Sequence, residues 1–179
     1  MSAEHAVGLH TVQPDYREIS AADFKGVFRH HPAGVGVVTL RGPDGPVGFT
    51  ATSVISVSAA PPVLAFSLAA TSSSRPALEQ ADSVVVNFLA EDQRDVAARF
   101  AARGVDRFDG VRWAPLPTGE PILRGTTAWV RGVIEERIPV GDSLLITVRA
   151  VLAQQSEVRN PLVYTNRTYY RLDDATTLS

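Results

Sequence analysis

The chain has 179 residues, 45% hydrophobic and 20% charged, a balance typical of one compact globular domain. Its 17 basic and 19 acidic residues give a net charge of −2, and they form no basic run that would bind nucleic acid. The sequence contains no cysteine, which excludes disulfides, thiolate catalysis and cysteine zinc sites. No apolar run reaches the roughly 20 residues that span a bilayer, and no signal-peptide pattern is present, so we expect a cytoplasmic protein.

The N-terminal region predicts an arm followed by a short helix. Residues 1–19 are polar and unpatterned, and we expect a flexible arm. Ser20 is a suitable N-cap, with an acidic residue three positions later. Phe24, Val27 and Phe28 are spaced to lie on one helical face, and a proline and a glycine soon follow. We therefore expect a short helix whose apolar face packs on a sheet.

A hairpin is predicted next. Val35–Leu40 is apolar enough for a buried strand, and residues 41–46 are rich in turn formers. The returning strand is Val47–Ser58, which alternates small hydroxyl residues with β-branched ones and precedes two prolines. Its small side chains leave the main chain approachable by a flat ligand. An ordinary strand rich in threonine and serine is the interpretation that this pattern alone favours.

The remaining elements predict a mainly β fold with peripheral helices. A helix is expected over Asp92–Ala102, with Val96 and Phe100 on one face. Further strands are expected at Val63–Leu68, Val84–Leu89, Ile122–Ile138, Leu144–Leu152 and Val163–Leu172. Six or seven strands without regular βαβ alternation predict a closed or partly closed antiparallel barrel of Greek-key-like topology.

A polar loop between two predicted elements contains the ingredients of a phosphate site. Ser72, Ser73 and Ser74 are followed by Arg75 and by a proline that can open a short helix. Hydroxyls, loop amides and a fixed positive charge are the groups that bind phosphate. A solvated serine loop with a surface arginine explains the same composition.

Three other polar features have competing explanations. Asn87 lies in an otherwise apolar strand, so its amide either ties down a neighbouring loop or binds a polar ligand. Gly141-Asp142-Ser143 fits an ordinary hairpin turn. His30 and His31 are adjacent and cannot face one metal ion together in regular structure, so no metal site is predicted.

Three motifs occur in a specific order along the chain. Val47–Pro62 contains V-G-F-T-A-T-S, Val84–Phe100 contains V-N-F-L-A-E-D-Q, and Asp106–Trp113 is D-R-F-D-G-V-R-W. In this combination the sequence resembles the flavin reductase family with the FMN-binding split-barrel fold, the reductase components of two-component flavin monooxygenases. The resemblance covers most of residues 24–172 and implies one domain over residues 20–173, with a tail at 174–179.

The resemblance implies roles for particular residues. The flavin ring would lie along Thr50–Ser53 and beside Asn87-Phe88-Leu89, and the serine loop would hold the ribityl chain and phosphate. The implied flavin-binding residues are Thr50, Ala51, Thr52, Ser53, Ser67, Ser72, Ser73, Ser74, Arg75, Asn87, Phe88 and Leu89. No side-chain acid or base is required, because the flavin carries the redox chemistry and the protein positions it.

The sequence departs from the family pattern where the nicotinamide should bind. The usual Gly-Asp-His motif is Gly141-Asp142-Ser143 here, so Asp142 and Ser143 are the candidate nicotinamide-site residues. Serine still forms hydrogen bonds, but it has no ring to stack and no charge near neutral pH. Thr165 also stands where the family frequently has histidine.

The resemblance implies an NAD(P)H:flavin oxidoreductase that reduces FMN, with FAD as a further possible flavin and NADH or NADPH as co-substrate. It also implies a homodimer that supplies reduced flavin to a partner monooxygenase. The alternative, favoured by Ser143, is a flavin-binding split barrel with weak or no reductase activity. A third hypothesis is a barrel used only for protein assembly; the serine loop and Asn87 count against it.

Overall fold

The computed structural model describes residues 18–156 and 159–172. The rest of the expected N-terminal arm (1–17) and the expected tail (174–179) lie outside these residues. None of the described helices is long and apolar enough to cross a membrane. The helices are α1 (Ala21–Arg29), α2 (Arg75–Gln80) and α3 (Arg94–Ala101), with a 3₁₀ turn at Glu91–Gln93. The strands are β1 (Ala33–Gly34), β2 (Gly36–Gly42), β3 (Gly45–Ala51), β4 (Ile55–Ala59), β5 (Pro62–Ala69), β6 (Ser83–Phe88), β7 (Trp113–Pro115), β8 (Pro121–Leu123), β9 (Ala128–Val140), β10 (Ser143–Gln155), β11 (Leu162–Thr165) and β12 (Thr168–Arg171).

Seven antiparallel strands form the main sheet, in the order β3-β2-β6-β9-β10-β5-β4. Its two edge strands, β3 and β4, follow one another in the chain, so the sheet curves until its edges approach. The Ser53 hydroxyl links the two sides, because it accepts a 2.9 Å hydrogen bond from the Ser67 amide and donates to the Ser67 carbonyl at 3.2 Å. The predicted antiparallel split barrel with peripheral helices is confirmed.

Several predicted strands are divided, which raises the number of described strands from the expected six or seven to twelve. Val47–Ser58 was predicted as one strand, and this is wrong: residues 52–54 separate β3 from β4. Val163–Leu172 is likewise the hairpin of β11 and β12. Asn166 and Arg167 occupy the left-handed region, with φ of 46° and 61°, and this turn divides the predicted strand.

Helix α1 begins as predicted but packs differently. The amide of Asp23 donates to the Ser20 hydroxyl at 3.1 Å, which confirms the N-cap. The expectation that its apolar face packs on a sheet is wrong, because Phe24, Val27 and Phe28 are 51%, 70% and 57% exposed. The last helical residue instead accepts a 2.7 Å hydrogen bond from the turn between β11 and β12. The helix therefore stands beside the barrel and leaves its apolar face open.

Two apolar clusters hold the fold together. Phe66 and Ile146 are fully buried within the main sheet. Phe100 and Leu89 belong to a second cluster, which joins α3 to β11. Helix α3 contacts β3 directly because Gly48 has no side chain: a Cβ there would lie 2.6 Å from the Phe100 ring. This close packing fixes the chain after α3 beside the loop that follows β5.

Candidate functional site

Two adjoining clefts lie beside the seam of the barrel, and Ser67 lines both. The ring cleft, as we name it, has a volume of about 670 Å³ and lies between α1, the end of β3 and the β11–β12 hairpin. The loop cleft has a volume of about 250 Å³ and lies between the β5–α2 loop and the end of α3. Their combined size suits a small-molecule site. The predicted site residues that line them are Thr50, Thr52, Ser53, Ser67, Ser72 and Ser73.

The ring cleft offers both backbone and hydroxyl groups to a ligand. The Ser53 hydroxyl is bonded to Ser67. Within residues 18–156 and 159–172, no hydrogen bond uses the hydroxyls of Thr52 and Ser67 or the amides of Thr52 and Ser53, and all three residues line this cleft. The small side chains at this seam thus leave hydroxyl and main-chain donors unused beside the cleft. Thr50, which lines the loop cleft, donates its hydroxyl to the Ala97 carbonyl at 2.7 Å.

The opposite wall of the ring cleft was not predicted from the sequence. Phe24 and Phe28 of α1 lie with ring centroids 4.7 Å apart, and Lys25, Arg29 and Arg167 line the same cleft. Among the described residues no carboxylate lines this cleft, so the walls that they form are positive and aromatic. The periodicity of α1 does not predict that the helix lines a cleft, because an apolar helical face has the same sequence pattern whether it covers a core or a cleft.

Arg107 organises the loop cleft, and its role was also not predicted, although it belongs to the D-R-F motif. Its guanidinium donates to the Ser74 hydroxyl at 2.9 Å and to the carbonyls of Gly48 and Ala102, both at 2.8 Å. Burial, and then the neighbouring charge of Arg103, lower the pKa of Arg107 below its ordinary value. Arg107 therefore ties the serine loop to β3 and to the end of α3.

Some of the predicted residues near this loop do not face either cleft. Ser74 is buried beneath the loop and held by Arg107. Arg75 pairs with Glu79 at 2.7 Å and lines neither cleft. The side chain of Ala51 belongs to the barrel core.

Asn87 is a structural residue whose side-chain groups are engaged within the protein, and its predicted place beside the flavin stays a prediction. Its side chain is fully buried. The amide nitrogen donates to the Val37 carbonyl and the Thr39 hydroxyl, both at 3.0 Å, and its oxygen accepts from the Leu123 amide at 2.9 Å. Of the two explanations that the sequence left open, the tie to a neighbouring segment is confirmed.

The residues after Asn87 are also turned away from the clefts. Leu89 is 1% exposed, its amide donates to the Val35 carbonyl, and its own carbonyl accepts from Leu162. Leu89 therefore has no unbonded backbone group to offer a ligand, and its predicted place beside the flavin stays a prediction. Phe88 packs against the barrel core and lines neither cleft.

Gly141-Asp142-Ser143 forms the connection between β9 and β10, which confirms the hairpin-turn interpretation. Gly141 has a φ of +56°, a conformation that favours glycine. The Asp142 carbonyl accepts a 2.8 Å hydrogen bond from Ala70, and Ser143 pairs with Ala69. The turn thus contacts the start of the serine loop, although Asp142 and Ser143 line neither cleft. Their role towards a nicotinamide stays a prediction.

The donor groups in the two clefts fit a flavin nucleotide. The free amides at Thr52 and Ser53 suit the carbonyl and imide edge of an isoalloxazine, and the hydroxyls and arginines of the loop cleft suit a phosphate. No acidic residue of the described part of the chain lines either cleft. Within the described ranges, no three potential metal-ligating side chains come together.

Comparison with known proteins decides the family. The sequence matches the flavin reductase like domain over residues 28–173. The chain belongs to the flavin reductase family. It is 44% identical over 182 residues to the NADH:FMN oxidoreductase of Rhodococcus qingshengii, an alignment that covers 93% of this chain and 94% of that protein.

Solved structures agree with this assignment. The flavin reductase domain protein from Arthrobacter sp. FB24 is 38% identical, with a TM-score of 0.80 over 85% of this chain and 95% of that one. A homologue of nitrilotriacetate monooxygenase component B from Mycobacterium thermoresistibile is 27% identical, with a TM-score of 0.82 over 89% and 92%. The predicted family and the predicted enzyme class, an NAD(P)H:flavin oxidoreductase, are confirmed.

The clefts of this flavin reductase are lined by cations and hydrogen-bond donors. Bound flavin would supply the redox chemistry by accepting a hydride at its N5 atom. The protein's residues position the reactants and provide positive potential, which favours the negative charge that a ring gains on reduction. The site therefore acts through geometry and electrostatics.

Proposed function

We propose that this flavin reductase uses NADH to reduce FMN and supplies the reduced flavin to a partner monooxygenase. The proposal is carried by the pair of adjoining clefts, one with unused amides and the other with hydroxyls and arginines. No carboxylate among residues 18–156 and 159–172 lines either of them. The choice of NADH and FMN is supported by the Rhodococcus relative. The partner is supported by the likeness to a monooxygenase component.

The flavin ring would lie in the ring cleft along Thr52 and Ser53, with its polar edge towards their amides. Ser67 lines both clefts and would face the ribityl chain. Ser72 and Ser73 would face the phosphate in the loop cleft. This orientation places the charged end of FMN where the cleft is lined by arginines.

The nicotinamide must stack on the face of the ring that the barrel leaves uncovered. Asp142 and Ser143 lie at the rim, since their turn is bonded to the start of the serine loop. Ser143 lacks the imidazole that the family usually has there, and this supports the second candidate function, a flavin-binding split barrel with weak or no reductase activity. The two candidates differ in hydride transfer and agree on flavin binding.

Two measurements test the proposal. Titration of the protein into FMN and into FAD, followed by flavin fluorescence, should show saturable binding, with tighter binding of FMN. Steady-state oxidation of NADH should depend on added FMN and should exceed that of NADPH. Flavin binding with no oxidation of either nucleotide would favour the second candidate. The absence of any flavin binding would contradict both.

We also propose that the enzyme works as a homodimer, in which a second copy covers α1 and β4. Val27 of α1 and Ile55 and Val57 of β4 are more than half exposed, which is costly for a face that water alone covers. Light scattering coupled to size exclusion should give a dimer for the wild type. Val27→Asp should shift the population towards monomer, and a wild-type monomer would contradict this arrangement.

A further inference from the structure

We propose that Arg103 provides the positive charge that binds the 5′-phosphate of the flavin, a role that the sequence had assigned to Arg75. This inference rests on the proposed function and adds the residue that distinguishes a flavin nucleotide from an uncharged flavin. Three arginines lie near the serine loop, and only Arg103 both lines the loop cleft and keeps its guanidinium free of an ion pair or hydrogen bond within the described residues.

Arg75 and Arg107 are both less suited to bind this phosphate. Arg75 lines neither cleft, and its Nε–H already donates to Glu79, one helical turn later, at 2.7 Å. Arg107 lines the loop cleft, but its nitrogens already donate to the carbonyls of Gly48 and Ala102 and to the Ser74 hydroxyl. Arg75 is therefore in the wrong place, and Arg107 has its donors engaged within the protein.

Arg103 is differently placed. It follows the end of α3 and lines the loop cleft together with Thr71, Ser72 and Ser73. In the described part of the chain it forms no ion pair, and no carboxylate lines the same cleft. Its charge also acts on Arg107, which lines the same cleft, so two positive charges lie close together there. Such an arrangement is stabilised by a bound dianion.

The neighbouring loop supplies the remaining phosphate ligands. The amides of Ser72, Ser74 and Arg75 are engaged within the loop. The amides of Thr71 and Ser73 form no hydrogen bond within the described residues. A phosphate beside Ser73 would therefore meet loop donors and the Arg103 side chain, while Arg107 keeps the loop in place.

The test compares FMN with riboflavin, which has the same ring and ribityl chain but no phosphate. In the wild type, FMN should bind more tightly than riboflavin. Arg103→Gln should weaken FMN binding roughly tenfold, as expected for loss of one charge-assisted hydrogen bond, and leave riboflavin binding unchanged. Dissociation constants from flavin fluorescence give the readout without any turnover.

Two matched arginine variants serve as controls. Arg99→Gln removes a charge from α3 in a position that lines neither cleft, and Arg75→Gln removes the arginine that the sequence favoured. Both should keep the wild-type ratio of FMN to riboflavin affinity. The inference is overturned if Arg103→Gln leaves that ratio unchanged, whether or not both ligands bind more weakly. It is also overturned if Arg75→Gln abolishes the preference for FMN. A wild type that binds neither ligand would instead refute the proposed function.

Discussion

Two regions of this protein use the same kinds of polar residue in opposite ways. The closed network is a set of six polar residues, five of them buried or half-buried and the sixth, Thr118, exposed: Thr39, Ser83, Asn87, Thr118, Glu120 and Arg131. Within it, the carboxylate of Glu120 is 2% exposed, accepts from Ser83 and Thr118, and pairs with Arg131 at 2.9 Å. Its members are thus bonded to one another or to nearby backbone.

The two clefts, by contrast, leave donors without partners. In the described part of the chain, the amides of Thr52 and Ser53 beside the ring cleft have no hydrogen-bond partner, and Arg103 in the loop cleft has no ion pair. A polar residue is therefore structural when its hydrogen-bonding groups already have partners within the folded protein, and it is available to a ligand when they do not. Substitutions in the closed network should change stability, and substitutions in the clefts should change flavin binding.

The largest effect is expected for Asn87→Leu. The variant removes three hydrogen bonds and leaves the Thr39 hydroxyl, the Val37 carbonyl and the Leu123 amide without this partner. The free energy of unfolding should fall by about 3–5 kcal/mol, measured by urea denaturation. A variant that keeps wild-type stability but binds FMN poorly would show that Asn87 contributes directly to the flavin site.

Glu120→Gln should produce the next largest loss of stability. Burial opposes ionisation of Glu120, but hydrogen bonds from Ser83, Thr118 and Arg131 outweigh it and lower the pKa from 4.5 to about 2. The ionised form therefore stabilises the fold above the unfolded pKa, and that contribution is lost as the pH falls from about 4.5 to about 2.

At neutral pH the variant should be less stable than the wild type by about 2–3 kcal/mol, because Arg131 loses its charged partner in a largely buried position. The difference should shrink as the pH is lowered towards about 2, in urea titrations repeated at several pH values. Equal stability at neutral pH would show that the pair contributes nothing. Ser73→Ala, whose residue is exposed, is the stability control.

Ser73→Ala should have its effect on the ligand instead. Ser73 is exposed in the loop cleft, where its hydroxyl is only 3.4 Å from Arg107, a weak contact. Stability should change by less than about 0.5 kcal/mol. The dissociation constant for FMN should rise about fivefold, with riboflavin unaffected. A loss of stability without a change in FMN affinity would show that Ser73 stabilises the fold and does not contact the phosphate.

The smallest change is expected for Ser143→His, at the rim of the site. A ring at this position can stack on or bond the nicotinamide, so the KM for NADH should fall or turnover should rise, by about two- to fivefold. FMN affinity should not change, because Ser143 lines neither cleft. Unchanged kinetics would show that Ser143 belongs to an ordinary turn.

Much of this account follows from the sequence. The alternation of apolar strands with turn formers predicts the barrel, and the Val47–Ser58 motif locates the seam. That this stretch supplies both edge strands of the sheet, β3 and β4, was not predictable, because a local sequence pattern does not show where a strand ends and leaves its sheet. The hydrogen bonds of Asn87 join it to residues that are distant in sequence and close in space, and the ion pair of Arg75 depends on its choice of side-chain conformation. Helix α1 shows that periodicity identifies an apolar face without identifying what covers it.

The most direct measurement mixes the enzyme and bound FMN with NADH under anaerobic conditions and follows the loss of the oxidised flavin's visible absorption. The wild type should bleach completely. Thr52→Trp, which fills the ring cleft from an exposed position, should unfold at the same urea concentration but fail to bind or bleach FMN. Equal bleaching by a folded Thr52→Trp variant would contradict the claim that this cleft holds the reacting flavin.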